Sequence, residues 1–152
     1  MGKNKENAER RSKEGEVEGI CMVNYCLDTN IIIEFLRGNN EMIKKVNDVQ
    51  QYHQLFTTPI TLCEAYKGAF LSTKKDSELP IMKEFIETLE IAELDKIACE
   101  EFGEEFARLK KKGKIMSEFD LIIAAIVKTN NLILVTRDKK DFEHIDVKIE
   151  VW

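Results

Sequence analysis

The stretch Tyr25-Cys26-Leu27-Asp28-Thr29-Asn30, with Ile31-Ile32-Ile33 and Phe35-Leu36 behind it, decides the fold. Val23, Tyr25, Cys26 and Leu27 read as a buried β-strand. An acid, a hydroxyl and an amide follow at once, and apolar residues then resume at helical length. Asp28 therefore falls at or just beyond the carboxyl end of the first strand. In an open α/β sheet, that edge is where ligands bind. The same position also suits a helix cap, through Asp28 or Thr29.

Working outward, the pattern predicts a helix over 30–37 closed by Gly38, a second over 41–51, and a strand over 55–57. Pro59 breaks the chain, and Thr61 is expected to cap a third helix that buries Leu62, Ala65, Tyr66, Ala69 and Phe70. Ser77 opens a fourth, with Pro80 in its first turn, where proline is tolerated. A short strand over 91–94 precedes a long helix over 96–112 that stops at Gly113. Ser117 opens the next helix, which is apolar all round over 121–127 and hence buried. Residues 132–135 read as a buried strand, and Val147, Ile149 and Val151 alternate as a last one. Helices and strands alternating in this way predict α/β layers around a mostly parallel sheet.

The 152 residues suit one domain, and a formal net charge of −5 supplies no global basic field for nucleic acid. Residues 1–20 hold five basic and five acidic residues with almost nothing apolar. They read as a disordered tail, with the folded domain over 21–152 and Met22 as a natural start. The net negative charge thus falls entirely on the folded part. No apolar run is long enough for a membrane span, and no signal-peptide core leads the chain. Cys21, Cys26, Cys63 and Cys99 form no C-x-x-C pair. They are expected to be buried, reduced thiols of a cytoplasmic protein rather than a zinc site.

Four acids stand out by placement. Asp28 follows the first strand, and Asp138 follows the strand over 132–135, with Asp141 close behind. Glu64 and Asp120 lie in first turns of helices. Each has a plainer reading. Glu64 could be solvated, Ser117 and Asp120 fit a capping box, and Asp138 could cap a turn. Jointly they say more, because strand carboxyl ends and helix amino ends share one edge of a parallel α/β sheet. Converging carboxylates repel unless a cation neutralises them, and hard oxygen donors suit Mg²⁺ or Mn²⁺. Such ions activate water and stabilise a leaving oxygen in phosphodiester cleavage.

With these residues in view, the sequence resembles the PIN-domain ribonucleases, and most closely the VapC toxins of prokaryotic toxin–antitoxin systems. The likeness covers nearly all of 22–152. It rests on Leu27-Asp28-Thr29-Asn30, on Glu64 in the helix opened by Ile60-Thr61, and on Asp120-Leu121-Ile122-Ile123-Ala124-Ala125 after Gly113-Lys114-Ile115. It also rests on Leu134-Val135-Thr136-Arg137-Asp138 with Asp141-Phe142. The resemblance implies a three-layer fold with a five-stranded parallel sheet, and Mg²⁺- or Mn²⁺-dependent endoribonuclease activity. Carried over by position, Asp28, Glu64 and Asp120 match the family's three principal acids. Asp138 matches its more variable fourth, with Asp141 as competitor. Thr29, Asn30 and Thr136 would orient the carboxylates.

An RNA substrate needs positive charge beside such a pocket. Lys112 and Lys114, with Lys110 and Lys111, precede Asp120. Arg137, Lys139 and Lys140 flank Asp138, and Arg37 ends the helix after Asp28. The plainer reading of the lysine run is a solvated face. The resemblance further implies a homodimer and an antitoxin partner. Phe35, Leu36, Phe85 and Ile86 are expected to form a groove or dimer face for an amphipathic helix, unless they are simply core. Two other functions compete. One is a non-catalytic RNA- or protein-binding module of the same fold. The other is an acid-pocket phosphohydrolase, against which Asp28 lacks a D-x-D companion.

Overall fold

The computed structural model describes residues 22–152 and the backbone of Glu16–Val17 and Ile20–Cys21. Those two short segments pair antiparallel, Glu16 opposite Cys21. The rest of the tail expected over 1–20 lies outside the described residues. Five parallel strands form the sheet: β1 (Tyr25–Leu27), β2 (Leu55–Thr57), β3 (Glu90–Ile91), β4 (Ile133–Thr136) and β5 (Ile149–Val151). Six helices flank it: α1 (Thr29–Leu36), α2 (Asn40–Gln50), α3 (Pro59–Leu71), α4 (Lys75–Glu87), α5 (Lys96–Lys111) and α6 (Glu118–Thr129), with a 3₁₀ turn at Lys139–Phe142. Among the described residues, no helix is long and apolar enough to cross a membrane.

The strand order is β3-β2-β1-β4-β5. The chain builds outward from β1 through β2 to β3, then crosses back and lays β4 on the other side of β1. The order reverses between β1 and β4, which makes their carboxyl ends the switch point of the sheet. Their register, with Leu27 opposite Val135, brings Asp28 level with Thr136.

The sheet divides the core in two. On one face α6 lays down Leu121, Ile123, Ala124, Ile126 and Val127 with Cys26, Leu134 and Phe142. On the other, Ile31, Ile32, Met42, Val46 and Phe85 pack against Leu27, Leu55 and Val135. Each fully buried Ile or Leu contributes roughly 1.5–3 kcal/mol. The all-apolar run over 121–127 is buried as its pattern predicts, apart from the half-buried Ile122.

Several local expectations change. Thr58, not Thr61, caps α3, because Pro59 has no N–H to lose at the first helical position. The Thr58 hydroxyl instead accepts from the Thr61 N–H at 3.0 Å. Pro80 sits inside α4 rather than in its first turn, since that helix starts at Lys75. Phe70 is exposed, because α3 turns that face to solvent. Cys63 and Cys99 are exposed as well, and only Cys26 of the described thiols is buried. Phe85 is core, and the half-buried Phe35 stacks on it at 3.9 Å between ring centroids, worth about 0.5–1.5 kcal/mol beyond area burial.

Candidate active site

Asp28 extends β1 by one rung, its N–H donating to the Val135 carbonyl at 2.9 Å. It is also the N-cap of α1, with extended backbone. Cap and candidate acid are therefore one side chain. Oδ1 accepts from the Thr29 N–H at 2.8 Å, and Oδ2 accepts from the Thr136 hydroxyl at 2.8 Å. A carboxylate offers about four acceptor positions, so each oxygen keeps room for a ligand. Burial pushes the Asp28 pKa up, the bonds from Thr136 and Thr29 pull it down, and repulsion from Glu64 and Asp141 raises it again.

Thr136 is the hub of this arrangement and is wholly buried. Its oxygen accepts from Asn30 Nδ2 at 3.2 Å and from the Asp138 N–H at 3.1 Å. A hydroxyl has one proton and two lone pairs. With both lone pairs engaged, the proton is committed to Asp28. Asn30 Oδ1 in turn accepts from the Arg137 N–H at 3.2 Å, which fixes the orientation of the amide.

The other acids come from three further segments. Glu64 projects from the second turn of α3 rather than the first, because that helix already starts at Pro59; it is half-buried, and its Oε2 accepts from the Thr29 hydroxyl at 2.6 Å. Asp120 stands in the first turn of α6. Its pKa is pushed up to about 6, first by burial, then by Asp141, Asp28 and Glu64, against a hydrogen bond from Ser117. The Ser117 hydroxyl makes no cap to the helix backbone, so the S-x-x-D pattern marks a side-chain contact, not a capping box. Asp141, on the 3₁₀ turn, is exposed, yet its charge bears on both Asp28 and Asp120. Asp138 bears on Asp141 instead, and joins the network through its backbone N–H rather than its carboxylate.

The oxygen-only donor set suits a hard divalent ion, and the mutual repulsion gives such an ion something to offset. Among the described residues, no three His, Cys, Asp or Glu side chains are drawn together as tightly as a shared ion requires. The donor chemistry fits a metal; the spacing would have to tighten around one.

A family model described as the PIN domain matches residues 25–148. The chain belongs to the PIN-domain family. Within that family its relatives are VapC ribonucleases. Ribonuclease VapC2 of Haemophilus influenzae is 32% identical over 86% of this chain and 99% of its own length. The tRNA(fMet)-specific endonuclease VapC of Salmonella typhimurium is 30% identical over the same shares. VapBC2 from Rickettsia felis, solved bound to a DNA fragment from its promoter, superposes with a TM-score of 0.79 at 26% identity. That match covers 86% of this chain and 99% of the other. This PIN domain is a VapC-like ribonuclease, and its five-stranded sheet is the one the resemblance implies.

The expected RNA-binding cations divide. Arg37 and Arg137 meet at one carboxylate, that of Glu34, 3.7 and 3.4 Å away. Lys112 caps α5 and bears on Glu105. Lys114 and Lys139 of this PIN domain are exposed. The sequence signals for Glu34 are its spacings on one helix, four residues after Asn30 and three before Arg37.

Proposed function

We propose that the chain is a divalent-metal-dependent endoribonuclease and the toxin of a toxin–antitoxin pair. Asp28, Glu64, Asp120 and Asp141 would hold Mg²⁺ or Mn²⁺, with Asp138 standing behind Asp141. Asp28 and its commitment to Thr136 at the switch point carry this reading. An ion held there supplies Lewis-acid stabilisation of a phosphodiester and a lowered pKa for an attacking water. The chain's own part is to orient. Thr136 and the Thr29 N–H fix the two oxygens of Asp28, and the Thr29 hydroxyl fixes Glu64. Outer partners of this kind typically change metal affinity or activity 10–100-fold when lost.

A partner site accompanies it. A groove of about 230 Å³ runs between α1, α3 and α4, lined by Ile33, Leu36, Ala65, Ala69, Ile81 and Met82. Phe70, Leu71 and Ile81 are 62%, 79% and 53% exposed beside it. This is where an antitoxin's amphipathic helix would lie, displaced from the Phe35–Phe85 face that the sequence suggests. A homodimer is expected on family grounds.

The test is cleavage of single-stranded RNA and of initiator tRNA, the substrate class named for one relative. The wild-type chain should cut with Mg²⁺ or Mn²⁺ and stop in EDTA. Asp28→Asn and Asp120→Asn should be folded and inactive. Activity unchanged in chelator would remove the metal. RNA binding without cleavage would favour the non-catalytic module.

A further inference from the structure

Arg137 is gripped at both ends by α1. Its N–H donates to Asn30 Oδ1 at 3.2 Å, and its Nη1 lies 3.4 Å from Glu34 Oε2. Asn30 and Glu34 are four residues apart on one helix face, about 6 Å along the axis. The other Glu34 oxygen reaches Arg37 Nη1 at 3.7 Å, and Asn39 Nδ2 donates to Oε2 at 3.0 Å. One carboxylate thus gathers two guanidiniums from positions 100 residues apart in the sequence.

The exposures run in a definite order. The Glu34 side chain is 22% exposed, that of Arg137 43% and that of Arg37 73%. The acid sits inward and the cations face solvent. A guanidinium has five N–H donors, so both keep donors to spare. Two cations against one acid leave a net positive charge. Three hydrogen bonds connect this point to the acids: Arg137 to Asn30, Asn30 to Thr136, and Thr136 to Asp28.

We propose that Glu34 organises Arg37 and Arg137 into a fork that holds an RNA phosphate neighbouring the scissile one. Glu34 is a positioning residue in this scheme, and the fork rests on the ribonuclease reading above. Guanidiniums pair with phosphate bidentately, provided they are presented at a fixed angle. Net charge alone predicts the opposite role. An acid beside an RNA site repels the strand, so its removal would tighten binding. The direction of the effect separates the two.

The experiment measures the Kd of a fluorescent single-stranded RNA in EDTA, and KM and kcat in Mg²⁺ or Mn²⁺. Glu34→Ala should raise Kd and KM about 5- to 10-fold with kcat unchanged, roughly the loss of one charge-assisted contact. Glu34→Gln, which keeps an acceptor for Arg137, should stay within about twofold. Arg137→Ala and Arg37→Ala should each weaken binding and each lower the salt slope by about 1. In the Arg37→Ala/Arg137→Ala background, Glu34→Ala should add nothing, which a merely structural Glu34 would not obey. Tighter binding by Glu34→Ala overturns the proposal. If that variant melts below the assay temperature, tighter binding by Glu34→Gln decides the same way. A wild-type chain that cuts RNA while these variants keep its KM removes the fork and leaves the ribonuclease. A wild-type chain that neither binds nor cuts RNA removes both.

Discussion

Thr136 gives its only proton to Asp28, because both of its lone pairs are occupied by Asn30 and the Asp138 N–H. The bond spans 108 positions of sequence and closes the switch point of the sheet. Thr136→Val should therefore lose more than a hydrogen bond. It strands the buried Asp28 carboxylate and two part-buried donors, the Asn30 amide and the Asp138 N–H, and a stability loss of about 1–3 kcal/mol is expected, with cleavage down about 10- to 100-fold. Thr136→Ser should retain most of both. Thermal melts and RNA cleavage measure the two effects. A Thr136→Val chain with full activity would show that Asp28 needs no orienting.

The choice between Asp138 and Asp141 is open to direct measurement. Asp141 bears on Asp28 and Asp120, and Asp138 does not enter either shift. Asp141→Asn should depress Mn²⁺ affinity and cleavage by about tenfold or more, whereas Asp138→Asn should change them by less. Titration calorimetry with Mn²⁺ reads the first, gel-based cleavage the second. The reverse order would restore Asp138 as the fourth ligand.

Acid should relieve the repulsion within the metal-free acid cluster. The Asp120 pKa stands raised from 3.8 to about 6. A raised carboxylate binds its proton more tightly in the folded state. Its contribution is fully present below about pH 4 and is lost as pH rises through about 6. Asp28, also raised, acts in the same direction. Asp120→Asn removes the repulsion, so in EDTA at neutral pH it should melt higher than wild type. After allowance for solvent screening at this half-exposed site, the gain is on the order of 1 kcal/mol. Added Mg²⁺ should shrink that gap. A variant less stable than wild type in EDTA would make Asp120 a structural residue.

The groove between α1, α3 and α4 makes a separable prediction. Ile81→Glu places a charge on its exposed wall and leaves the acids untouched. Cleavage and melting temperature should stay close to wild type, while inhibition by the candidate antitoxin should fall at least tenfold. Light scattering of the chain alone tests the dimer in the same sample. Inhibition that survives both Ile81→Glu and Phe70→Glu would place the partner elsewhere.

The order of strands and helices was legible because period and length are local signals. The run over 121–127 could only be a buried helix, and 55–57 was readable between turn residues. The positions of Asp28 and Asp120 were legible too, since parallel α/β topology dictates which ends share an edge, whereas Glu64 lies one turn deeper in α3 than its spacing suggests. What failed was whatever depends on facing. Phe70 and Phe85 are equally apolar, and only the assembled fold decides that the first faces solvent while the second packs against Phe35 and the sheet. Thr58 and Thr61 are both good caps, and the missing N–H of Pro59 settles the choice between them. Glu34 and Arg37 could be paired from their i,i+3 spacing, but the bridge to Arg137 forms only in three dimensions.

The switch-point bond between Asp28 and Thr136 also sets a clock. During synthesis at ~5–20 residues per second, the 108 positions between them take roughly 5 to 20 s to make. A nascent chain therefore carries its first acid long before the hydroxyl that aims it. A fragment that ends before Thr136 holds Asp28, Thr29 and Glu64, and Asp120 if it runs that far, but lacks the hydroxyl that holds the second oxygen of Asp28. For a ribonuclease, that order of synthesis would leave the acid site of the unfinished polypeptide incomplete until the fourth strand of the sheet is made.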